Sequence, residues 1–125
     1  MHAFAYARPG TLAEALTLLE THGPDARLLA GGTDLVVGLR SETIRPAVVI
    51  DIKRIAELRP AIREDGRIVT VSATTVMADL VGDDRVRRHF PALVEAADVV
   101  GSVQIRNRAT LAGNICNGSP APDTP

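Results

Sequence analysis

Cysteine is nearly absent from this 125-residue chain, in which Cys116 stands alone. One thiol excludes an internal disulfide, a zinc finger and a four-cysteine iron–sulfur cluster held by this chain alone. Tryptophan is missing, and the aromatic side chains are Phe4, Tyr6 and Phe90. That leaves no row of stacking platforms of the kind single-strand nucleic-acid binders use. Neither sign of charge prevails, with 14 basic against 15 acidic side chains and a net charge of −1. A general affinity for nucleic acid or anionic membranes is therefore not expected. No apolar run approaches the ~20 residues of a membrane-spanning helix. Met1-His2-Ala3-Phe4-Ala5-Tyr6 carries no basic segment leading into a long apolar one, so the cytoplasm is the default location.

What the chain does have is enough apolar residues, 46 %, for a modest core in a protein about one domain long. It is organised around Arg27-Leu28-Leu29-Ala30-Gly31-Gly32-Thr33-Asp34-Leu35, where an apolar run ends in two glycines and restarts as a helix. Gly31 and Gly32 can take positive φ without a Cβ clash, so consecutive N–H groups can point outward as an anion nest. Thr33 suits a cap and Asp34 a first helical turn, and a phosphate docked there would use the same N–H groups. A glycine pair also serves as a plain strand-to-helix turn. This one has neither the GxGxxG nor the Walker spacing, so alone it decides little.

Taken in order, Phe4 to Tyr6 reads as a brief strand before Arg8-Pro9-Gly10 turns the chain. Thr11 to His22 is the clearest helix. Thr11 and Glu14 make a T-x-x-E capping box, Leu12, Ala15, Leu16 and Leu19 recur at helical spacing, and Gly23-Pro24 ends it. Arg27 to Ala30 is expected as a short buried strand and Asp34 to about Arg40 as a short helix. Ala47 to Ile52 is a continuous, largely β-branched run, expected as a strand covered on both faces and parallel to the earlier one, which makes a βαβ unit. Lys53 to Leu58 reads as a helical turn. Ala61 to Glu64 and Arg67 to Ala73 flank Asp65-Gly66, a type I′ hairpin signal. Thr74 or Thr75 is expected to cap a helix to Val81, Asp83 to His89 is a second short helical piece, and Pro91 starts a third that stops at Gly101.

From Ser102 onward the periodicity stops, and the chain is expected to be irregular. No acidic residue lies between Asp98 and Asp123, while Arg106 and Arg108 do, so the local field is positive. Thr110-Leu111-Ala112-Gly113-Asn114 offers a hydroxyl, an approachable backbone and an amide, which suits phosphate or ribose contacts; an ordinary surface loop fits the composition equally well.

Three stretches together carry a resemblance: Ala30 to Leu35, Ile105 to Asn114, and Asn117 to Pro125. In that order they resemble the FAD-binding medium subunit of the molybdenum hydroxylases, the family of xanthine dehydrogenase and aerobic carbon monoxide dehydrogenase. The resemblance spans essentially the whole chain. It implies an α+β, PCMH-type FAD-binding fold, the flavin fold shared with the vanillyl-alcohol oxidase type. A small parallel βαβ subdomain over about 1–55 would be followed by the start of a second mixed or antiparallel subdomain over about 56–125.

The resemblance further implies that Ala30, Gly31, Gly32, Thr33, Asp34 and Leu35 wrap the FAD pyrophosphate with backbone amides. Thr110, Leu111, Ala112, Gly113 and Asn114 would contact it from the second loop, and Asp123 would hold a polar part of the cofactor. Ala112 stands where many members have glycine, which is tolerable unless the position needs positive φ. No side chain is implied as a catalytic acid, base or nucleophile, and no metal ligand is implied; the isoalloxazine does the redox chemistry. The implied partners are a [2Fe–2S] small subunit and a large subunit with the molybdenum cofactor, and the implied acceptor is NAD, a quinone or oxygen. Because the family's subunits are more than twice this length, the chain is expected to be an N-terminal fragment, without the C-terminal domain and inactive alone. A stand-alone flavin-dependent oxidoreductase of the same fold and a non-catalytic domain are the alternatives.

Overall fold

The computed structural model describes residues 1–118, and the chain divides into two compact units, Met1–Arg59 and Pro60–Pro125. The architecture is α+β, with parallel strands and helices in the first unit and an antiparallel hairpin with short helices in the second.

In the first unit β1 (Ala5–Ala7), α1 (Leu12–His22), β2 (Ala26–Leu29), α2 (Thr33–Arg40) and β3 (Val48–Asp51) follow one another. The sheet order is β1-β3-β2 and both pairings are parallel, with Tyr6 and Arg27 opposite Val49. Central β3 is buried at all four positions, as its unbroken apolar run requires. Strand β2 lies at an edge, and only its Ala26 is fully buried while Leu28 is 48 % exposed; the expectation of a buried strand fails there. Two 3₁₀ turns, Ile52–Arg54 and Ala56–Leu58, continue from β3.

Helix α1 starts as its sequence dictates: the Glu14 amide donates to Thr11 Oγ1 at 3.2 Å, and the Glu14 carboxylate accepts from the Gly10 amide at 2.7 Å. Gly23 caps its other end. The buried stripe is turned from the expected one. Ala15 is buried with Ile52 and Ile55, Leu18 and Leu19 pack on Ala26, Val48 and Ile50, and Leu16 is 56 % exposed. Six leucines and alanines on consecutive turns leave the choice of face to the packing partners, which periodicity alone does not contain.

The second unit opens on β4 (Ile62–Asp65) and β5 (Ile68–Val71), paired antiparallel with Asp65 opposite Ile68. The two-residue loop is therefore Gly66-Arg67 rather than Asp65-Gly66. Gly66 alone of the two has positive φ (57°), the pattern of a II′ turn rather than I′. Short helices follow: α3 (Met77–Gly82), α4 (Asp84–His89), α5 (Pro91–Asp98), α6 (Val103–Arg106) and α7 (Leu111–Asn117). Met77, Leu80, Val86, Val94, Ala97 and Ala109 form their core, against which the inward side of the hairpin, Ile62, Val69 and Val71, packs.

Two expectations are corrected in this unit. Neither Thr74 nor Thr75 caps α3, whose cap is Val76; the Thr75 hydroxyl instead bonds the amide and carbonyl of Ala61, tying the start of the hairpin to the helix layer. After Ser102 the described residues form two short helices, Val103–Arg106 and Leu111–Asn117, in place of the expected irregular stretch. Ser102 and Thr110 cap α6 and α7 by accepting from the amides of Ile105 and Gly113, and helices of one or two turns are too short to show a period.

Candidate functional site: a glycine loop at the carboxyl edge of the parallel sheet

Strands β2 and β3 run parallel, so the loops that leave their carboxyl ends lie at the same edge of the sheet, where open α/β sheets bind ligands. From β2 the chain passes through Ala30 and Gly31 to Gly32, the N-cap of α2. Of the two glycines it is Gly32 that adopts the left-handed backbone, φ 82° and ψ 3°. A Cβ there would stand 2.6 Å from the tip of the Leu29 side chain, which can turn aside, so it is the dihedral that calls for glycine.

The expectation that Thr33 caps the helix is not met, because Thr33 is already its first residue and no side chain caps α2. The first helical bond of the turn is Val36 N–H to the Gly32 carbonyl at 2.9 Å. The amides of Thr33, Asp34 and Leu35 thus precede the first intrahelical acceptor, as at any helix start, and among the described residues none has a side-chain cap. This is the donor set an anion needs: backbone N–H groups at the positive end of an eight-residue helix. The residues from Ala30 to Leu35 are half-buried apart from exposed Asp34.

Beside this loop sits a group of polar side chains that the sequence did not single out. Side chains alternate along each strand, so Tyr6 and Asp51 lie on the same face of the sheet, diagonal across β1 and β3. The Tyr6 hydroxyl donates to Asp51 Oδ2. Asp51 Oδ1 accepts from the Lys53 amide at 3.0 Å and pairs with Lys53 Nζ at 2.7 Å. The same ammonium donates to the Ala30 carbonyl oxygen at 3.3 Å. Burial pushes the Asp51 carboxyl up, but the bonds from Lys53 and Tyr6 outweigh it and hold it below the ordinary value. The Tyr6 phenol is raised, first by its hydrogen bond to Asp51 and then by burial. Short-range sequence reading had no access to this group, because Tyr6 and Asp51 are 45 residues apart and Lys53 and Ala30 are 23 apart.

In the second unit, Thr110 is buried and forms an isolated antiparallel bridge with Val76, while the Met77 amide donates to the Ala109 carbonyl at 2.8 Å. This fixes the start of α7 on α3. The Gly113 amide is taken by Thr110 Oγ1 at 3.0 Å, and a Cβ at residue 113 would meet that oxygen at 2.8 Å. Glycine there lets the cap close. Ala112 lies inside α7 without positive φ, so its methyl group is accommodated. Leu111, Ala112, Gly113 and Asn114 are half-buried. The structure thus groups the expected residues as Ala30 to Leu35 in one unit and Thr110 to Asn114 in the other; Asp123 lies outside the described residues.

Comparison with known proteins gives the family of the chain. Residues 2–125 match the family described as the FAD binding domain in molybdopterin dehydrogenase. The chain belongs to this family. It is 43 % identical over 122 residues to the carbon monoxide dehydrogenase medium chain of Hydrogenophaga pseudoflava, covering 98 % of this chain and 42 % of that one. To the xanthine dehydrogenase FAD-binding subunit of Escherichia coli O157:H7 it is 45 % identical over 121 residues, covering 96 % and 41 %. Among solved structures, a carbon monoxide dehydrogenase from Hydrogenophaga pseudoflava matches with a TM-score of 0.87 at 42 % identity, covering 92 % of this chain and 40 % of that one. Quinoline 2-oxidoreductase from Pseudomonas putida 86 matches with a TM-score of 0.83 at 31 % identity, covering 90 % and 39 %.

This FAD-binding domain therefore spans about two fifths of the length of the relatives it matches. FAD is the cofactor of the family, and the backbone amides after left-handed Gly32, which no side chain caps, fit a diphosphate. Among the described residues no helix is long and apolar enough to cross a membrane.

Proposed function

We propose that the chain supplies the diphosphate-holding part of the FAD site in the flavin subunit of a molybdenum-containing dehydrogenase. The observation that carries this reading is the left-handed Gly32 followed by uncapped helix amides, at the carboxyl edge of the parallel sheet. Ala30, Gly31, Gly32, Thr33, Asp34 and Leu35 hold the diphosphate, chiefly through backbone N–H groups. Thr110, Leu111, Ala112, Gly113 and Asn114 add contacts to the same cofactor, with Thr110 setting the shape of that turn, and Asp123 holds a polar part of FAD.

FAD supplies the redox chemistry, and the chain binds and orients it. In the complete protein electrons arrive from [2Fe–2S] clusters on a small subunit, after substrate oxidation on a large subunit with the molybdenum cofactor, and leave to an acceptor in the cytoplasm. The printed names of the relatives, a medium chain and an FAD-binding subunit, support this division of labour. So does the lone Cys116, since a four-cysteine cluster needs ligands from elsewhere.

Absorbance titration of the complete protein with FAD tests the first claim, and co-purification tests the second. The reading expects saturable binding and recovery with an iron–sulfur and a molybdenum subunit. A protein that binds no FAD, or one that oxidises substrate without partners, contradicts it.

A further inference from the structure

The glycine loop has an acceptor at its entrance as well as donors along its turn. The Ala30 carbonyl oxygen immediately precedes Gly31, and a carbonyl free to swing toward a bound anion would repel it. In this structure that oxygen is held by the Lys53 ammonium at 3.3 Å. The ammonium is held in turn by Asp51 Oδ1 at 2.7 Å, and the other Asp51 oxygen accepts from Tyr6. The Asp51 side chain is 5 % exposed and that of Lys53 37 %, so a buried carboxylate anchors a cation whose charged end reaches the surface beside the loop.

We propose that Lys53 is a positioning residue for FAD: anchored by Asp51 and Tyr6, it fixes the Ala30 carbonyl so that the Gly31-Gly32 turn presents amide donors to the diphosphate. This rests on the reading of that loop as the diphosphate site. The geometry accounts for each member. Lys53 follows Asp51 by two residues across a 3₁₀ turn that the Asp51 carboxylate itself caps, and Asp51 ends the central strand, buried at all four positions. An ammonium has three donors and no acceptor; two are used on Asp51 and Ala30.

The test is the FAD dissociation constant of the complete protein in four forms: wild type, Lys53→Arg, Lys53→Met, and Asp51→Asn with Lys53→Met. The double variant is needed because Lys53→Met alone leaves a buried carboxylate without its cation, which can unfold the protein for an unrelated reason. Circular dichroism and melting temperature are followed for each form.

The expected result is binding weakened about tenfold or more in the double variant at a temperature where it is fully folded, with Lys53→Arg keeping most of the affinity. Folded double variant that binds FAD as tightly as wild type overturns the proposal. So does a Lys53→Arg form as weak as the double variant, since the guanidinium can make both contacts. If wild-type protein itself fails to bind FAD, the reading of the loop falls first, and the two failures are told apart by that control.

Discussion

The Thr110 hydroxyl oxygen accepts from the Gly113 amide at 3.0 Å, and a Cβ on residue 113 would stand 2.8 Å from that oxygen. Gly113 has an ordinary helical backbone, so its constraint is contact, not dihedral. Gly113→Ala must push the hydroxyl aside and weaken the cap of α7, at a cost of about 1 kcal/mol, the usual worth of an N-cap. Thermal unfolding reads it. A melting temperature equal to wild type would show that the turn relaxes freely.

Gly32→Ala meets a left-handed backbone that costs an L-residue about 1–2 kcal/mol; its methyl group, 2.6 Å from Leu29 Cδ1, meets only the tip of a side chain that can turn aside. FAD affinity of the complete protein is expected to drop at least tenfold. Gly82→Ala is the control, because nothing lies within 4 Å of a Cβ there; it should bind FAD normally. Equal binding by both variants removes the glycine loop from the site.

Asp83 caps α4 through the amides of Arg85 and Val86 and pairs with the Arg85 guanidinium. The Arg85 bonds lead in holding its carboxyl down, from 3.8 to about 2. A depressed carboxyl pKa stabilises the folded state above the unfolded value, and that contribution is lost as pH falls through the folded one. The melting temperature should therefore fall from about pH 4 toward pH 2, and Asp83→Asn should flatten the slope in that window. An unchanged slope would remove Asp83 as its source.

Leu80 is fully buried among Met77, Val86, Val94 and Ala97, whereas Ile68 is 69 % exposed on the outer side of the hairpin. Leu80→Ala is expected to cost about 2–5 kcal/mol and Ile68→Ala within about 0.5 kcal/mol, measured by denaturant unfolding. Comparable costs would mean that the core assigned to this unit is wrong.

Some local chemistry was legible in the sequence, and some was not: Thr33 is the first residue of α2 and not its cap, and the local caps of Ser102 and Thr110 start helices too short to show a period. Thr11 and Glu14 announce α1, the β-branched run of 47–52 announces β3, and alternation at Val69 and Val71 gives the inward side of the hairpin. Ala30 to Leu35 stood out because two glycines interrupt an apolar run. Also hidden were features settled by partners distant in sequence: which stripe of α1 is buried, the edge position of β2, and the group of Tyr6, Asp51 and Lys53. In the sequence Lys53 only begins a helical turn; the sheet brings the Ala30 carbonyl to its ammonium.

The most direct test of the account is a crystal structure of the complete protein with FAD bound, read for one quantity, the distances from the diphosphate oxygens to the backbone nitrogens of residues 31–35. Several of those distances are expected within about 3.2 Å, the ordinary limit for N–H···O bonds. A diphosphate seated elsewhere, with those amides facing water, would contradict it.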